Sequence, residues 1–491
     1  MQNRRDQVQA HMFTMGRLTS GLLRTDLDAP ESPVGRTNRG LAMGIVVALL
    51  MCAGAFVFGL ISPGGSGTWQ VPGKLIVDGR TGARYLYADG RLRPVRNYAS
   101  ALLLVGSQKL GTTTVGHETL RRAPRGPAAG LEGAPDTLPD GGDLTARRPW
   151  LVCSTDASSA RTTLAVASSA ADSGGRLPAH RAVLVAGPDG TRYLVWQGSR
   201  LRIDSRSGAL ESLGYGTTAA RPVSAAFLNA LPAGPDLAPA AVPGIGDAGP
   251  SLGGTSTRIG QVFQTRVPGS GTQYYLVRQE GLVPLTATGA ALQLGAPDTV
   301  KKAYGGGAAT ARQVQAGTLG GHLAGVSDAG GSALPASPPD VTGVPDGSAV
   351  CASVRPGAAT GSVVHVDVRM VPVSGLASAA ERTDTSSDTV PACLPVDAVA
   401  VAPGGGALVQ ALSAGGGDVG GSTYLVGDTG AKYRVPTDKD LGALGYSAGE
   451  IARVPALLLA MLPSGPDLDA DAAARGRVAG HGGGGCSGTS G

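Results

Sequence analysis

Two aspartates are the first candidates for chemistry, because each lies in a seven-residue phrase that the chain carries twice. The phrase reads LPAGPDL at 231–237 and LPSGPDL at 462–468, and it contains Asp236 and Asp467. Two carboxylates related by a duplication could act as a general acid and a general base. Aspartate beside Gly-Pro also forms hydrogen bonds in turns and at helix ends, and we favour that structural role.

Two glycine-rich loops match a dinucleotide-binding fingerprint by letter but lack its structural context. The loop Gly244-x-Gly246-x-x-Gly249 follows AVP and runs into Pro250, so no helix N-terminus follows that could hold a phosphate. The loop 415–420 precedes a predicted strand instead of following one. The single Gly-Lys pair, at 73–74, lacks the spacing of a phosphate-binding loop. The sequence therefore excludes a P-loop ATPase and predicts no cofactor.

The histidines and acids also lack the spacing of known catalytic or metal sites. The six histidines, at 11, 117, 180, 322, 365 and 481, include no pair with zinc-binding spacing, and no G-x-S-x-G motif is present. His365 and Asp367 share one face of a predicted strand, and we interpret them as solvated. The net charge of +5 over 491 residues is modest and scattered, which disfavours a nucleic-acid partner.

One apolar segment predicts a membrane anchor. Residues 41–62 contain no charged side chain and, as a helix, would span about 33 Å, enough to cross a bilayer. Basic residues precede the span at 4, 5, 17, 24, 36 and 39, whereas the first one after it is Lys74. The positive-inside rule therefore places residues 1–40 in the cytoplasm and the bulk of the chain outside.

The cytoplasmic segment carries the pattern of an amphipathic helix within residues 5–24. Its apolar residues recur at three- and four-residue spacing: Val8, Met12, Met15, Leu18 and Leu22. Such a helix has no core of its own. It needs either the membrane surface or a partner, and its moderate basic content favours a protein partner.

The remainder of the chain is organised by internal repetition. Tyr193-Leu194-Val195, Leu213-Gly214-Tyr215 and Leu231-Pro232 all recur 231 residues later. Two fainter copies begin with RYLY at 84–87 and YYLV at 274–277. The abundance of glycine and proline (78 and 34 residues) indicates short elements, so the sequence predicts an α+β protein with four small α/β repeats, at 71–120, 180–245, 256–320 and 420–475.

The repeated phrase is interpreted as the end of each unit. Leu231 and Leu462 end short helices, and Pro232 and Pro463 stop them. The dipeptides Gly234-Pro235 and Gly465-Pro466 then turn the chain, so that Leu237 and Leu468 can pack back onto the repeat.

Strand-like segments outside the repeats predict a central β domain made from 148–170 and 348–412. The segment GSVVHVDVRMVPV alternates apolar and polar residues, as in a strand covered on one side. Cys153 and Cys351 lie in such segments, and in an oxidising compartment a bridge between them is the favoured pairing among three connectivities. Two buried free thiols are the alternative. Cys393 is unassigned, as is Cys486 in the glycine-rich tail 476–491, which we expect to be flexible.

Several of these segments together resemble the EccB family of actinobacterial type VII secretion. The resemblance rests on RRDQVQAHMF near the start, SPGGSGTW closing the span, GAPDTLP leading to WLVC, and the twice-written L-P-x-G-P-x-L. It covers nearly the whole chain.

The resemblance implies a membrane-core subunit with a cytoplasmic helix, one span and an elongated extracytoplasmic region. The four repeats would resemble a phage lysin's cell-wall-binding subunit, and a family disulfide would fall on Cys153 and Cys351. The implied partners are an EccC-type motor ATPase, EccD, EccE and a mycosin protease in a hexameric complex that exports WXG-type proteins.

Three functions are compatible with this picture. We favour a structural subunit, because the sequence offers no catalytic set. The first rival is an ATP-hydrolysing subunit, since some members of the family are described in that way. The second is a cell-wall-binding module, which rests on the fold analogy alone.

Overall fold

The computed structural model describes residues 4–24, 33–61, 69–107, 110–144, 148–156, 158–267, 269, 271–325, 334–357, 364–377, 380–382, 389–413 and 418–476. Contacts within the chain define two units. One comprises residues 1–92 and 112–126, and the other comprises residues 93–111 and 127–491. Ser62 of the predicted span and residues 477–491 of the predicted tail lie outside the described residues.

Two long helices open the chain. Helix α1 runs from Arg4 to Arg24, and helix α2 runs from Pro33 to Ile61. Within α2, the segment Thr37–Val57 is long and apolar enough to cross a membrane. The helix begins eight residues before the predicted span at 41, because Pro33 has the fixed φ that suits a first helical position. The predicted cytoplasmic segment 1–40 therefore includes the first turns of α2.

All four predicted repeats contain a sheet with the same strand order. Numbered along the chain, the strands of each sheet lie side by side in the order third, second, first and fourth. The fourth strand therefore pairs with the first strand, on the side away from the second. The strands of repeats 1 and 2 are β1 (Lys74–Asp78), β2 (Arg84–Ala88), β3 (Arg91–Pro94), β4 (Gly111–Val115), β8 (Arg181–Ala186), β9 (Arg192–Trp196), β10 (Ser199–Arg202) and β11 (Arg221–Pro222). Those of repeats 3 and 4 are β12 (Val262–Val267), β13 (Gly271–Arg278), β14 (Gly281–Leu285), β15 (Arg312–Gln313), β21 (Ala407–Leu412), β22 (Asp418–Val426), β23 (Lys432–Val435) and β24 (Ala452–Pro455).

Short helices follow the third and the fourth strands. After the third strands lie α3 (Tyr98–Val105), α6 (Ala209–Ser212), α8 (Ala287–Gly295) and α11 (Asp438–Ala443); after the fourth lie α4 (His117–Arg121), α7 (Ala225–Asn229), α9 (Ala316–Leu319) and α12 (Ala456–Ala460), and α13 (Ala470–Arg475) follows last. Asn97, Thr286 and Thr437 begin three of these helices, and each side chain accepts a hydrogen bond from an amide of the first turn. Such caps satisfy amides that a helix start leaves unpaired.

A seven-stranded sheet forms the central domain. Its order is β19 (Ala380–Arg382), β20 (Ala398–Ala400), β6 (Thr162–Ala165), β5 (Trp150–Ser154), β17 (Ser348–Arg355), β18 (His365–Pro372) and β7 (Gly175–Arg176), and β16 (Asp340–Val341) pairs instead with β8. Helices α5 (Ala170–Ser173) and α10 (Val373–Ala377) accompany it. Every residue of β5 and β6 is buried.

The burial of the central sheet corrects one expectation. Its strands contribute to two separate apolar clusters, one around Trp150 and Val368 and the other around Leu151 and Val371. Alternating residues of a strand point to opposite faces, so both faces are covered. The sequence predicted one covered face for the segment 361–373, whereas in strand β18 the second face is also packed, by α5 and α10 at Val371.

Two domain boundaries also change. The segment 407–412, assigned by sequence to the central domain, is strand β21 of repeat 4, which therefore starts before the predicted residue 420. Conversely, β7 lies beyond the predicted limit of 170 and pairs with β18 of the central sheet. The error arises because the Tyr-Leu-Val anchor marks the second strand of each repeat, while the first strand carries no recurring letters.

Repeats 2 and 4 share a core with the central sheet. Phe227 of α7 and Leu458 of α12 belong to the same buried cluster as Trp150 and Val152 of β5. Both helices lie just before the repeated phrase, and Phe227 is fully buried. The phrase thus follows directly on the helices that hold these two repeats against the central sheet.

Helices from different repeats also pack against each other. Leu102 and Leu103 of α3 share a cluster with Leu441 of α11 and Ala473 of α13. In repeats 2 and 3, Leu210 of α6 shares a cluster with Leu292 of α8. The first repeat thereby contributes a helix to the core of the fourth, and the second shares a core with the third.

Candidate functional site

The repeated phrase forms an extra strand-like segment beside the third strand of its repeat. In repeat 4 the amide of Lys432 donates to Pro463 O at 2.9 Å, and the amide of Gly465 donates to Lys432 O at 2.9 Å. In repeat 2 the same two bonds join Arg200 to Pro232 and Gly234, again at 2.9 Å. The phrase therefore extends each sheet by main-chain hydrogen bonds.

The ends of the phrase lie close to the predicted positions. Helices α7 and α12 finish at Asn229 and Ala460, and the predicted last residues, Leu231 and Leu462, follow two positions later. Leu237 and Leu468 are fully buried in the cores beneath α6 and α11.

The glycines of the phrase have a packing role. A Cβ atom at Gly465 would lie 2.2 Å from Tyr433 Cε1, and one at Gly234 would lie 3.3 Å from Leu201 Cγ. Neither glycine has a positive φ angle. Glycine suits both positions because a side chain of the neighbouring strand approaches closely. Of the prolines that follow, Pro235 is half-buried and Pro466 is buried.

Each phrase aspartate pairs with an arginine of its own repeat. Asp236 forms an ion pair with Arg202 of β10, and Asp467 forms one with Arg434 of β23. The hydrogen bond from Arg202 holds the pKa of Asp236 below its ordinary value. A carboxylate held ionised by its own arginine is a poor general acid. The two aspartates were expected to form hydrogen bonds in turns and at helix ends. In the structure, they instead form ion pairs with arginines of the third strand of each repeat.

The structure reveals the same segment in repeat 1, which the sequence comparison missed. Leu92 of β3 donates to Pro124 O at 2.8 Å and accepts from the amide of Gly126 at 3.1 Å. These residues belong to APRGPAA at 123–129, which retains the Pro-x-Gly-Pro core of the phrase. The spacing Pro-x-Gly-Pro, searched without the flanking leucines, is the signal that would have found it.

The tyrosine of each Leu-Gly-Tyr anchor binds a connector from elsewhere in the chain. Tyr446 Oη donates to Pro139 O at 2.7 Å, and Tyr215 Oη donates to Pro339 O at 2.8 Å. Burial raises the pKa of both phenols above the ordinary value. Pro139 and Pro339 lie outside the predicted repeats and central domain, and these bonds make the segments that carry them integral parts of the fold.

The central cysteines lie opposite each other on neighbouring strands. Cys153 of β5 pairs in register with Cys351 of β17, and the two form a disulfide with a Cα–Cα separation of 4.0 Å. Both side chains are fully buried. Cys393 is also disulfide-bonded, Cys52 is free, and Cys486 lies outside the described residues.

The first glycine loop does not form a phosphate cradle. The amides of Gly246 and Gly249 donate to Ile259 O and Thr257 O, both at 2.9 Å, so they are engaged in backbone bonds. The loop leads into strand β12 and not into a helix. Of the second loop, Gly420 lies within strand β22, and residues 415 and 417 lie outside the described residues.

His365 and Asp367 are not a catalytic pair. Asp367 binds Arg176 Nη2 at 2.5 Å and its side chain is only 12% exposed, while His365 is exposed. The interpretation of Asp367 as solvated is therefore wrong, because the edge strand β7 brings Arg176 onto it. A cavity of about 470 Å³ borders this ion pair and is lined also by Gln197 and Gly198.

A histidine–aspartate contact in repeat 1 was not predicted. His117 Nδ1, at the start of α4, lies 2.6 Å from Asp78 Oδ2 at the end of β1. Hydrogen bonds from His117 and from the amide of Arg80 hold the pKa of Asp78 well below its ordinary range. The pair ties β1 to α4. Within the described ranges, no three His, Cys, Asp or Glu side chains converge as a metal site would require.

Helix α1 presents its predicted apolar stripe without cover in the described part of the chain. Met12, Leu18 and Leu22 are 66%, 57% and 84% exposed. An apolar stripe of this length is the kind of surface that a partner helix or a membrane covers.

The family model for "Type VII secretion system ESX-1, transport TM domain B" matches residues 2–479. The chain belongs to this family, EccB. It is 28% identical over 495 residues to "ESX-3 secretion system ATPase EccB3" of Mycolicibacterium smegmatis, an alignment that covers 94% of the chain and 89% of that protein. It is 34% identical over 299 residues to "ESX-1 secretion system ATPase EccB1" of Mycobacterium tuberculosis, covering 58% and 60%.

Two solved structures resemble this EccB chain throughout. A chain of the intact ESX-5 inner membrane complex is 26% identical, with a TM-score of 0.64 and coverage of 96% of this chain and 95% of that one. A chain of the EccB3 dimer from the ESX-3 core complex is 26% identical, with a TM-score of 0.62 and coverage of 82% and 99%. The likeness establishes the α+β architecture of the EccB family for this chain.

Proposed function

We propose that the chain is a structural subunit of a type VII secretion inner-membrane complex, anchored by α2 and assembled through surfaces on both sides of the membrane. The observation that supports it best is the combination of family membership over 2–479 with one apolar helix at Thr37–Val57. The similar ESX-5 chain belongs to an inner membrane complex.

The charge flanking α2 supports an orientation for this anchor. The arginines before the span, against a first basic residue at Lys74 beyond it, favour a cytoplasmic α1 with the repeats on the other side of the membrane. A disulfide between Cys153 and Cys351 fits the oxidising side. In this arrangement α1 docks onto cytoplasmic partners, and the EccC-type motor ATPase, EccD, EccE and the mycosin protease are the subunits that the family resemblance suggests.

The word ATPase in the names of the relatives has no counterpart in the geometry of the described residues. The glycine loop 244–249 uses its amides in backbone bonds, and the phrase aspartates are bound by arginines. Purified chain is expected to hydrolyse ATP no faster than preparations that lack it. Hydrolysis that co-migrates with the chain through a gradient would favour the enzymatic alternative.

The docking role of α1 can be tested by co-purification in mild detergent. The variant Met12→Ser/Leu18→Ser removes the apolar stripe, and Asp6→Ser/Arg17→Ser changes the opposite face at constant net charge. We expect the first variant to lose the motor ATPase and a multi-span partner, and the second to retain both. Equal recovery with both variants would move the docking surface elsewhere.

A further inference from the structure

The strongest concentration of charge in the chain lies in repeat 1. Residues 69–126 contain ten basic residues (Lys74, Arg80, Arg84, Arg91, Arg93, Arg96, Lys109, Arg121, Arg122 and Arg125) and three acidic ones (Asp78, Asp89 and Glu118). Their net charge of +7 exceeds the +5 of the whole chain. The rest of the protein is therefore slightly acidic, and the basic character belongs to this one repeat.

Four of these arginines lie close together at one edge of the repeat. Arg121 ends α4, Arg122 caps it, and Arg125 follows within the segment that pairs with β3. Arg91 precedes Leu92, whose main chain bonds to residues 124 and 126 on either side of Arg125. The fold thus brings Arg91 close to Arg125, which follows Arg121 and Arg122 by four and three positions along the chain. We call these four residues the basic edge.

The basic edge is exposed and only weakly neutralised. All four arginines are exposed to solvent. Arg121 approaches Glu118 at 3.5 Å, a distance and exposure at which an ion pair contributes little. Among the described residues, the other three have no ion-pair partner. Asp78, the buried acid of repeat 1, is engaged by His117.

Chain length restricts where this edge can be. Helix α2 ends at Ile61, and repeat 1 is described from Trp69. Eight Cα–Cα steps span at most roughly 28 Å, even fully extended. Repeat 1 must therefore remain near the bilayer that α2 crosses, whichever side it lies on. A cationic surface held at that distance lies within reach of the lipid headgroups.

We propose that the basic edge of repeat 1 binds the anionic headgroups of the membrane in which α2 is anchored. Arginine guanidinium groups match phosphate oxygens in geometry as well as charge. Each basic residue near an anionic surface strengthens binding by about fivefold, so four act together strongly on a tethered domain. The edge would fix the orientation of repeat 1 on the bilayer. This inference rests on the proposed membrane anchor.

Amide hydrogen exchange of the full chain in lipid nanodiscs tests the proposal. Discs of zwitterionic lipid are compared with discs that contain phosphatidylglycerol. We expect exchange in the peptides that cover 84–97 and 117–127 to slow by about fivefold or more in the anionic discs. The protection is expected to disappear in high salt, because screening weakens exposed charges.

Two matched variants separate the basic edge from charge in general. Arg91→Gln/Arg121→Gln/Arg122→Gln/Arg125→Gln removes the edge, and the control replaces four exposed basic residues elsewhere, Arg192, Arg206, Arg266 and Lys301. The first variant should lose the protection and the control should keep it. The unchanged exchange of peptides from repeats 2 and 4 verifies that both variants are folded.

Two results would overturn the proposal. One is identical exchange in the two kinds of disc, which would assign the edge to an acidic protein partner. The other is protection that survives in the first variant. Failure of the chain to incorporate into discs at all would instead contradict the proposed anchor, so the two hypotheses fail in distinguishable ways.

Discussion

Removal of the central disulfide by Cys153→Ala/Cys351→Ala should lower the free energy of unfolding of the central sheet by about 3–5 kcal/mol. The two cysteines are 198 residues apart in sequence. The chain-entropy model gives about 5 kcal/mol for a loop of this size, and measured effects are usually smaller. Because β5 and β17 are already paired in register, the bridge acts mainly by restricting the unfolded chain.

The assay is urea unfolding followed by fluorescence of Trp150. This residue lies on β5 and is fully buried, and replacing Trp69 and Trp196 by phenylalanine leaves it as the only tryptophan. With a slope of about 2 kcal/mol per M, the loss corresponds to a midpoint lowered by about 2 M. The control Cys52→Ala, which removes a free thiol, should show no shift.

The reasoning would be refuted by a midpoint that the double substitution leaves unchanged. That result would mean that the unfolded chain between the two cysteines is already restricted without the bridge. An equal shift in the Cys52→Ala control would instead show that thiol removal in general destabilises the protein.

Four further outcomes follow from the repeats. Leu468→Ala should cost about 2–5 kcal/mol in thermal unfolding, since the side chain is fully buried, and Leu468→Asp should unfold repeat 4, seen as protease sensitivity. Asp467→Asn should leave assembly and secretion intact in a complementation assay, because the carboxylate has a structural partner. Tyr446→Phe should cost about 1–3 kcal/mol in the same thermal assay, as it leaves Pro139 O unpaired. Burial lowers the pKa of Lys432 to about 8, so the charged side chain disfavours folding. Lys432→Met should therefore raise the free energy of unfolding at pH 7. That gain should shrink as the pH rises from 8 to 10.5 and vanish above 10.5, as urea unfolding at each pH would show.

Local sequence signals predicted the units but not their partners. Tyr-Leu-Val and Leu-Gly-Tyr recur at fixed spacing because they occupy the second strand and the end of the first helix of a duplicated unit, so a single offset revealed them. The first strand and the repeat 1 phrase were missed, because their roles depend on main-chain bonds that many side chains allow. The ion pair of Arg176 with Asp367 joins residues 191 positions apart, and no local pattern encodes such a contact.

The candidate site illustrates the same limit. The sequence singled out the phrase and the two central cysteines, since both lie in strongly patterned segments. It could not predict that Arg202 and Arg434 would bind the aspartates, because these arginines come from a strand about 34 residues earlier. The exposure of the four arginines of the basic edge follows from tertiary packing, which a local sequence pattern does not encode.

The packing of α3 against α13 has a consequence for biosynthesis. Leu102 and Leu103 are buried against a helix that begins at Ala470, nearly at the end of the described chain. At about 5–20 residues per second, α13 is synthesised roughly 20–70 s after α3. During that interval the apolar face of α3 lacks its native partners in repeat 4 and α13. Packing of α3 is therefore completed only by the last repeat, and part of its apolar face needs protection from aggregation while the chain emerges.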